Sequence, residues 1–262
     1  MIELLHLNKN FGNFQAVRDV TLQVPPGEVF GFLGPNGAGK TTTIRMMAGL
    51  LKPTSGQILL CGKDMTREPE EAKSLLGFIP DRPYLYEKLT GYEFLEFIAD
   101  LHGVDLGNQR RKRMAELLEL FELGGWSREL VEGYSHGMRQ RLAIAAALIH
   151  RPKVLIVDEP MVGLDPKGAR LVKSLFSELA KAGLSVFMST HSLDVAEEMC
   201  QRIGIINEGQ VIALGTIAEV RERAQSTDER LESLFLKLTG GTEPDDGPGP
   251  SSMTSGDFRT PQ

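Results

Sequence analysis

GPNGAGKTT, Gly34 to Thr42, decides how this chain is read. It satisfies the phosphate-loop pattern G-x-x-x-x-G-K-[ST] at every position. The apolar run from Val29 to Leu33 before it reads as a buried strand, and Thr41 to Leu50 after it reads as a helix, so the loop opens onto a helix N-terminus. Gly34, Gly37 and Gly39 allow backbone angles that a side chain forbids, and main-chain donors can then crowd around an anion. The helix-end N–H groups and the helix dipole add to that attraction. Lys40 supplies a point charge for the β and γ phosphates, and the Thr41 hydroxyl is sized to ligate Mg²⁺. The nucleotide-binding segment is therefore Gly34, Pro35, Asn36, Gly37, Ala38, Gly39, Lys40, Thr41 and Thr42. Taken alone it leaves kinase, GTPase and motor ATPase equally open.

VLIVDEP, Val154 to Pro160, is an apolar run of strand length that ends in adjacent carboxylates. It lacks the alternation of a half-exposed strand, which suits a strand covered on both faces. Ligands of open α/β sheets sit beyond the carboxyl ends of the strands, which brings Asp158 and Glu159 beside the phosphate loop. Asp158 can hold Mg²⁺, and Glu159 can orient or deprotonate an attacking water.

Further motifs stand in order around these. YSHGMRQR, Tyr134 to Arg141, lies shortly before the Asp-Glu pair; GLDP, Gly163 to Pro166, and STHS, Ser189 to Ser192, follow it; KNFG, Lys9 to Gly12, followed by AVRDV opens the chain. Together they resemble the signature motif, D-loop, switch histidine and adenine-stacking segment of ABC-type ATPases. The resemblance runs from about Ile2 to about Thr239. It implies an α/β P-loop fold of ABC type, with a mixed sheet core, an antiparallel β subdomain and a helical subdomain inserted at about residues 82–147. It also implies roles: Phe11 stacks on adenine, Ser135 and Gly137 contact a γ-phosphate, Asp165 belongs to the D-loop, and His191 senses the γ-phosphate and holds the attacking water with Glu159. Ser is a favoured helix cap, so Ser135 also starts the following helix. In the family the signature of one subunit faces the phosphate loop of another and two ATP are sandwiched between them. A chain with one of each needs a partner, a second copy or a paralogue.

Two positions depart from the family pattern. His136 stands where the signature usually has a second glycine, and it bears a cost if that backbone needs positive φ. Asp81, in GFIPDRPYLYEKLT (Gly77 to Thr90), stands where a glutamine usually helps complete the Mg²⁺ and water shell; Asp is shorter and cannot donate when ionised. Asp81 is kept as a metal-site residue beside Thr41 and Asp158, with a local pairing to Arg82 as the simpler alternative.

The 262 residues carry 29 basic against 35 acidic side chains, a net charge of −6, which argues against a general nucleic-acid binder. Cys61 and Cys200 match no metal or redox spacing and are expected reduced and buried. No stretch reaches the roughly 18 apolar residues of a membrane span and no signal-peptide pattern opens the chain, so a cytoplasmic location is expected, with any membrane role borrowed from a partner. IELLHL, DVTLQV and QILLCG read as strands. TGYEFLEFIADLHG (Thr90 to Gly103) and RKRMAELLELFEL (Arg111 to Leu123) read as helices, with Phe94, Phe97 and Ile98 as a core stripe and the cluster Arg110 to Arg113 as a solvated face. SLDVAEEMCQR reads as a helix, IGIINEGQVIALGT as a hairpin turning at Glu208-Gly209, and the chain from Gly240 onward as a disordered tail.

LYEKLTGYEFLEF resembles stand-alone ATPase subunits of export-type transporters. The resemblance thus implies an ATP-hydrolysing subunit that drives export through a separate integral membrane permease, peripheral on the inner face of the cell membrane. The alternative is a soluble ABC-type ATPase acting on a cytosolic assembly such as an iron–sulfur scaffold.

Overall fold

Apolar runs without alternation form the centre of a sheet that is covered on both faces. The computed structural model describes residues 1–104, 107–223 and 231–239. In chain order β1 (Ile2–Phe11) and β2 (Phe14–Val24) form a hairpin, β3 (Val29–Leu33) leads to α1 (Lys40–Met47), and β4 (Ser55–Leu60) turns into the short β5 (Lys63–Asp64). Then come α2 (Pro69–Ser74), β6 (Leu76–Ile79), α3 (Gly91–Leu101), α4 (Asn108–Leu120), α5 (His136–Leu148) and β7 (Val154–Asp158). α6 (Pro166–Lys181), β8 (Ser185–Ser189), α7 (Leu193–Met199), β9 (Arg202–Asn207), β10 (Gln210–Gly215), α8 (Ile217–Arg223) and α9 (Leu231–Thr239) follow.

One sheet has six strands in the order β10-β9-β3-β8-β7-β6, parallel throughout except for the antiparallel edge strand β10. A separate antiparallel sheet has the order β2-β1-β4-β5. This is the α/β architecture, mixed sheet plus antiparallel sheet, expected from the sequence. β3 and β7 are neighbours of β8 on opposite sides, so the phosphate loop after β3 and the carboxylates after β7 emerge at the same sheet edge.

Strand alternation survives as a choice between two cores. Val154 and Ile156 of β7 pack with Phe30, Phe32, Phe187 and the α1 residues Ile44 and Met47, in the layer shared with the antiparallel sheet. Leu155 and Val157 face the other way, onto Leu142, Ile144, Val172 and Phe176 of α5 and α6. Phe187 sits at ring-centroid distances of 5.5 Å from Phe30 and 5.2 Å from Phe32. Each such side chain, wholly buried, contributes roughly 1.5–3 kcal/mol through its apolar surface.

Several expectations shift. The loop helix begins at Lys40 and ends at Met47, with Gly49 at φ +66 behind it, rather than running to Leu50. The helix read across SLDVAEEMCQR covers only Leu193–Met199, because Arg202 already belongs to β9. The Arg110 to Arg113 cluster is a solvated face only in part: Arg111 and Lys112 are exposed, but the Arg110 side chain is 3% exposed, with Nη1 donating to Asp100 Oδ1 at 2.6 Å and Nη2 to the Glu96 carbonyl at 2.7 Å. A buried guanidinium is tolerable when its donors are filled in this way. Within the expected core stripe Phe94 is buried, but Phe97 is exposed and meets Tyr86 edge-on at 5.2 Å. Both cysteines are free; Cys200 is buried and Cys61 only half-buried. The Glu208-Gly209 turn is found with φ of 45° and 82°, the geometry of a tight hairpin. The expected tail from Gly240 lies outside the described residues.

Candidate functional site

α1 begins differently from α3, α5, α6 and α7. Thr90, Ser135, Asp165 and Ser192 each cap a helix (α3, α5, α6 and α7) with their own side-chain oxygen, whereas Gly39 offers α1 no side-chain cap and the first turn holds no acid. The first N–H groups of α1 therefore stay available to an anion, with the helix dipole behind them. The glycines are required for distinct reasons. A Cβ on Gly34 would stand 2.3 Å from the Ile206 carbonyl oxygen, and one on Gly39, at φ +109, 2.6 Å from that of Ala16. Gly37 has open space around it but sits at φ +80.

Lys40 is buried, and its Nζ donates to the carbonyls of Gly34 at 2.6 Å and Pro35 at 3.1 Å, so the ammonium lies across the loop. Burial draws its pKa down, while the charges of Glu159 and Asp158 hold it up. Thr41 and Asn36 are exposed at the loop surface, Thr42 is half-buried, and Ala38 is buried, donating to Pro35 and accepting from Gly209.

The carboxylates meet this ammonium from β7. Asp158 is 5% exposed and accepts a short hydrogen bond from Ser189 Oγ on the neighbouring β8. Burial pushes the Asp158 carboxyl above its ordinary range; the Ser189 bond and Lys40 oppose this, and Asp81 and Glu159 add repulsion. Glu159 has φ +52, a strained angle for a non-glycine residue, and its N–H donates to the Ser189 carbonyl at 3.2 Å. That conformation aims its side chain at β8, where Glu159 Oε1 lies 2.8 Å from His191 Nδ1. The carboxylate is largely enclosed, at 19% exposed, and the imidazole open, at 68%. Asp81 is exposed beyond the end of β6, close enough to act on Asp158, and among the described residues no ion pair joins it to Arg82. Lys40, Asp81, Asp158, Glu159 and His191 are thus brought together, with Thr41 next to Lys40.

A second group makes its own local bonds. Ser135 Oγ accepts from the Met138 N–H at 3.3 Å, so it caps α5 as read from the sequence, and Asp165 Oδ1 accepts from the Gly168 N–H at 2.9 Å. Gly137 lies beside the Gly163 carbonyl, and the His136 ring lies directly against Gly163, where an added Cβ would be 2.4 Å from it. His136 opens α5 and has no positive φ, so the backbone cost anticipated for a side chain there does not arise. Ser135, Gly137 and Asp165 share no hydrogen bond or ion pair with the phosphate loop among the described residues.

Phe11 is half exposed at the end of β1, paired with Phe14 across the hairpin, and Lys9 Nζ stands 5.1 Å from its ring. The same hairpin reaches the phosphate loop through Ala16, whose carbonyl faces Gly39 and Gly209. Ser189, which tethers Asp158, was not singled out by the sequence; its signal is a hydroxyl at the carboxyl end of an apolar strand, just before Thr190 and His191.

Comparison with known proteins agrees with this geometry. The family model described as ABC transporter matches residues 17–162, and one described as AAA domain, putative AbiEii toxin, Type IV TA system matches residues 128–197. The chain is 42% identical over 221 residues to the uncharacterized ABC transporter ATP-binding protein YhcH of Bacillus subtilis, covering 84% of this chain and 71% of that one. It is 40% identical over 230 residues to the daunorubicin/doxorubicin resistance ATP-binding protein DrrA of Streptomyces peucetius, 88% and 69% of the two chains. A solved ATP-binding subunit of an ABC transporter superposes with a TM-score of 0.86 at 32% identity, over 91% of this chain and 99% of that one. The dimeric post-hydrolysis state of the ATP-binding cassette MJ0796 bound to ADP and Pi superposes with a TM-score of 0.75 at 28% identity, over 83% and 99%. Phosphate loop, paired carboxylates and family match converge: the chain belongs to the ABC transporter family and is an ATP-binding, ATP-hydrolysing subunit of a transporter.

Proposed function

We propose that this chain is one half of an ATP-driven clamp that closes on two ATP molecules, with a second copy or a paralogue as the other half, and powers export through a separate membrane permease. The observation that carries the chemistry is the enclosed Glu159 carboxylate bonded to His191 at 2.8 Å beside the Lys40 ammonium. Glu159 accepts the proton of the water that attacks the γ-phosphate, and His191 holds the Glu159 carboxylate in line for it. Lys40 and the open N–H groups of α1 carry the charge that develops on the phosphate oxygens. Phe11, exposed near the loop, offers a face for adenine.

The oxygen donors Thr41, Asp158 and Asp81 fit Mg²⁺, which favours a few carboxylate or hydroxyl ligands completed by phosphates. An Asp158 carboxyl raised by burial, and further by the charges of Asp81 and Glu159, is a site that a bound divalent cation would relieve. Once bound, the ion supplies charge neutralisation at the β and γ phosphates.

Among the described residues Ser135, Gly137 and Asp165 share no hydrogen bond or ion pair with the Lys40 group, which suits groups that serve a partner's ATP rather than this chain's own. We take residues 1–239 as the ATPase domain and the segment at about 82–147, which carries α3 to α5, as a helical subdomain that couples it to the permease. Supporting the docking reading, a cavity of about 880 Å³ opens between Pro83–Leu89, Phe97 and Arg139, lined by exposed Tyr84 and Tyr86. Export is favoured by the likeness to a drug-resistance ATP-binding protein. Among the described residues no helix is long and apolar enough to cross a membrane; pairing with a permease is what gives this reading its peripheral location, on the cytoplasmic face of that partner.

Glu159→Gln is expected to lower ATP turnover by about 10²–10⁴-fold, the scale of a general base, while ATP still assembles the dimer. Turnover at the parent rate removes Glu159 from this role. Affinity capture from gently solubilised membranes is expected to recover a multi-span protein; recovery of only soluble scaffold proteins favours action on a cytosolic assembly instead.

A further inference from the structure

A cavity of about 550 Å³ opens at the sheet edge opposite the phosphate loop, where the chain enters β3, β7 and β8. Its walls come from Pro26, from Arg151 to Lys153, from Ala182 to Leu184, and from Arg113, Leu148 and Leu179 on α4, α5 and α6. The charged side chains of the lining are Arg113, Arg151 and Lys153, joined by the amino terminus of Met1, which donates to Cys61 Sγ of the same wall at 3.5 Å; no acid is among the described lining residues. None of the three makes an ion pair among the described residues. Arg113 donates from Nη2 to the Leu148 carbonyl at 3.1 Å at the end of α5, which accounts for one of its donors, while its buried Nε has no partner among the described residues. The nearby carboxylate Glu116 is shared with Lys112 at 3.9 Å. Burial and the like charge of Arg151 both act against the Arg113 cation. Arg113, partly buried and repelled by the exposed Arg151 with only the Glu116 charge opposing, carries a cost that a bound anion removes.

We propose that this cavity binds an organic anion, with a phosphate or carboxylate held by Arg113, Arg151 and Lys153 and an apolar body laid against Pro152, Leu179 and Leu184. Guanidinium groups pair bidentately with either headgroup, and the volume lies in the range of small-molecule sites with mainly apolar walls. Arg113 stands on α4 and the other cations in the loop before β7, so an occupant bridges the helical segment and the sheet.

The test titrates octyl phosphate, octanoate, 1-octanol and inorganic phosphate into the full chain by calorimetry, at constant ionic strength and with saturating ADP to fill the phosphate loop. Saturable binding of octyl phosphate or octanoate is expected, and the tighter of the two identifies the headgroup. Arg151→Gly suits the φ of +54 at that position, and the exposed Lys153→Ala leaves the core alone, so neither threatens the fold. Each should weaken binding about tenfold, the scale of a lost charge-assisted hydrogen bond, with ADP affinity unchanged. The proposal is overturned if neither amphiphile saturates by about 1 mM, if both variants bind as tightly as the parent, or if inorganic phosphate or 1-octanol binds as well as the charged amphiphiles.

Discussion

Glu159 Oε1 and His191 Nδ1 lie 2.8 Å apart, one at the end of β7 and the other just beyond β8, with Ser189 bonded to both Asp158 and Glu159 between them. Glu159 reaches this pair from a backbone at φ +52, a region glutamate rarely adopts. Orienting a general base is worth less than supplying it. His191→Ala should therefore lower kcat by roughly 10²-fold, the low end of the general-base range, and leave ATP affinity near that of the parent. Steady-state hydrolysis and nucleotide titration read the two effects separately. A loss confined to affinity would reassign His191 to binding.

The strand-loop-helix frame around Gly34 to Thr42 was legible because the glycines, Lys40 and the flanking apolar runs are all local signals. The carboxylate strand was legible for the same reason. What escaped was set by distant partners. The fate of Arg110 depends on Asp100 and the Glu96 carbonyl, which only the packing of α3 on α4 supplies. Ser189 acquires its place from β7, a neighbour that β8 meets through sheet order and not through sequence. The φ of Glu159 has no local signature, since glutamate does not favour that region. His136 looked costly beside a glycine pattern, yet the helix it opens needs no positive φ.

Asp158 sets function against stability. Its carboxyl is raised above the ordinary value of 3.8, so the folded chain holds that proton more tightly than the unfolded chain does. Stability from this group is therefore highest at low pH and falls as pH rises from about 3.8 through the raised value. Asp158→Asn removes the charge and keeps an acceptor for Ser189. Thermal unfolding at pH 7 should rise by about 2–4 °C, the shift that 1 kcal/mol gives a chain of this size, while Mg²⁺-dependent ATPase activity disappears. Asp158→Asn melting below the parent would show that the carboxylate stabilises the fold.

The glycines of the loop should separate by mechanism. Gly37→Ala meets no neighbour within 4 Å and carries only the strain of φ +80, about 1 kcal/mol. Gly34→Ala drives a methyl to 2.3 Å from the Ile206 carbonyl, so the loop must move away from β9. Denaturant unfolding should show the larger loss for Gly34→Ala, and nucleotide binding should fall much further there than in Gly37→Ala. Equal losses in both assays would remove the close approach to β9 as the reason for Gly34.

His150 gives the chain an acid-sensitive joint far from the nucleotide. Its ring stacks on His102 at a centroid distance of 3.7 Å and an interplanar angle of 4°, which joins the end of α3 to the end of α5. Its Nε2 lies 3.0 Å from the Leu76 carbonyl, and its Nδ1 is buried without a partner among the described residues. Burial, with the neighbouring His102 adding to it, draws the pKa of His150 from 6.5 down to about 4. The unfolded chain thus binds this proton first, and the contribution of neutral His150 to stability, complete above pH 6.5, is lost as pH falls toward 4. His150→Gln keeps an N–H for the Leu76 carbonyl and does not titrate. Denaturant midpoints measured from pH 7 to pH 4 should fall less steeply for His150→Gln than for the parent, even if the variant starts lower through loss of the stack. Parallel curves over that range would place the acid sensitivity of the fold in other groups.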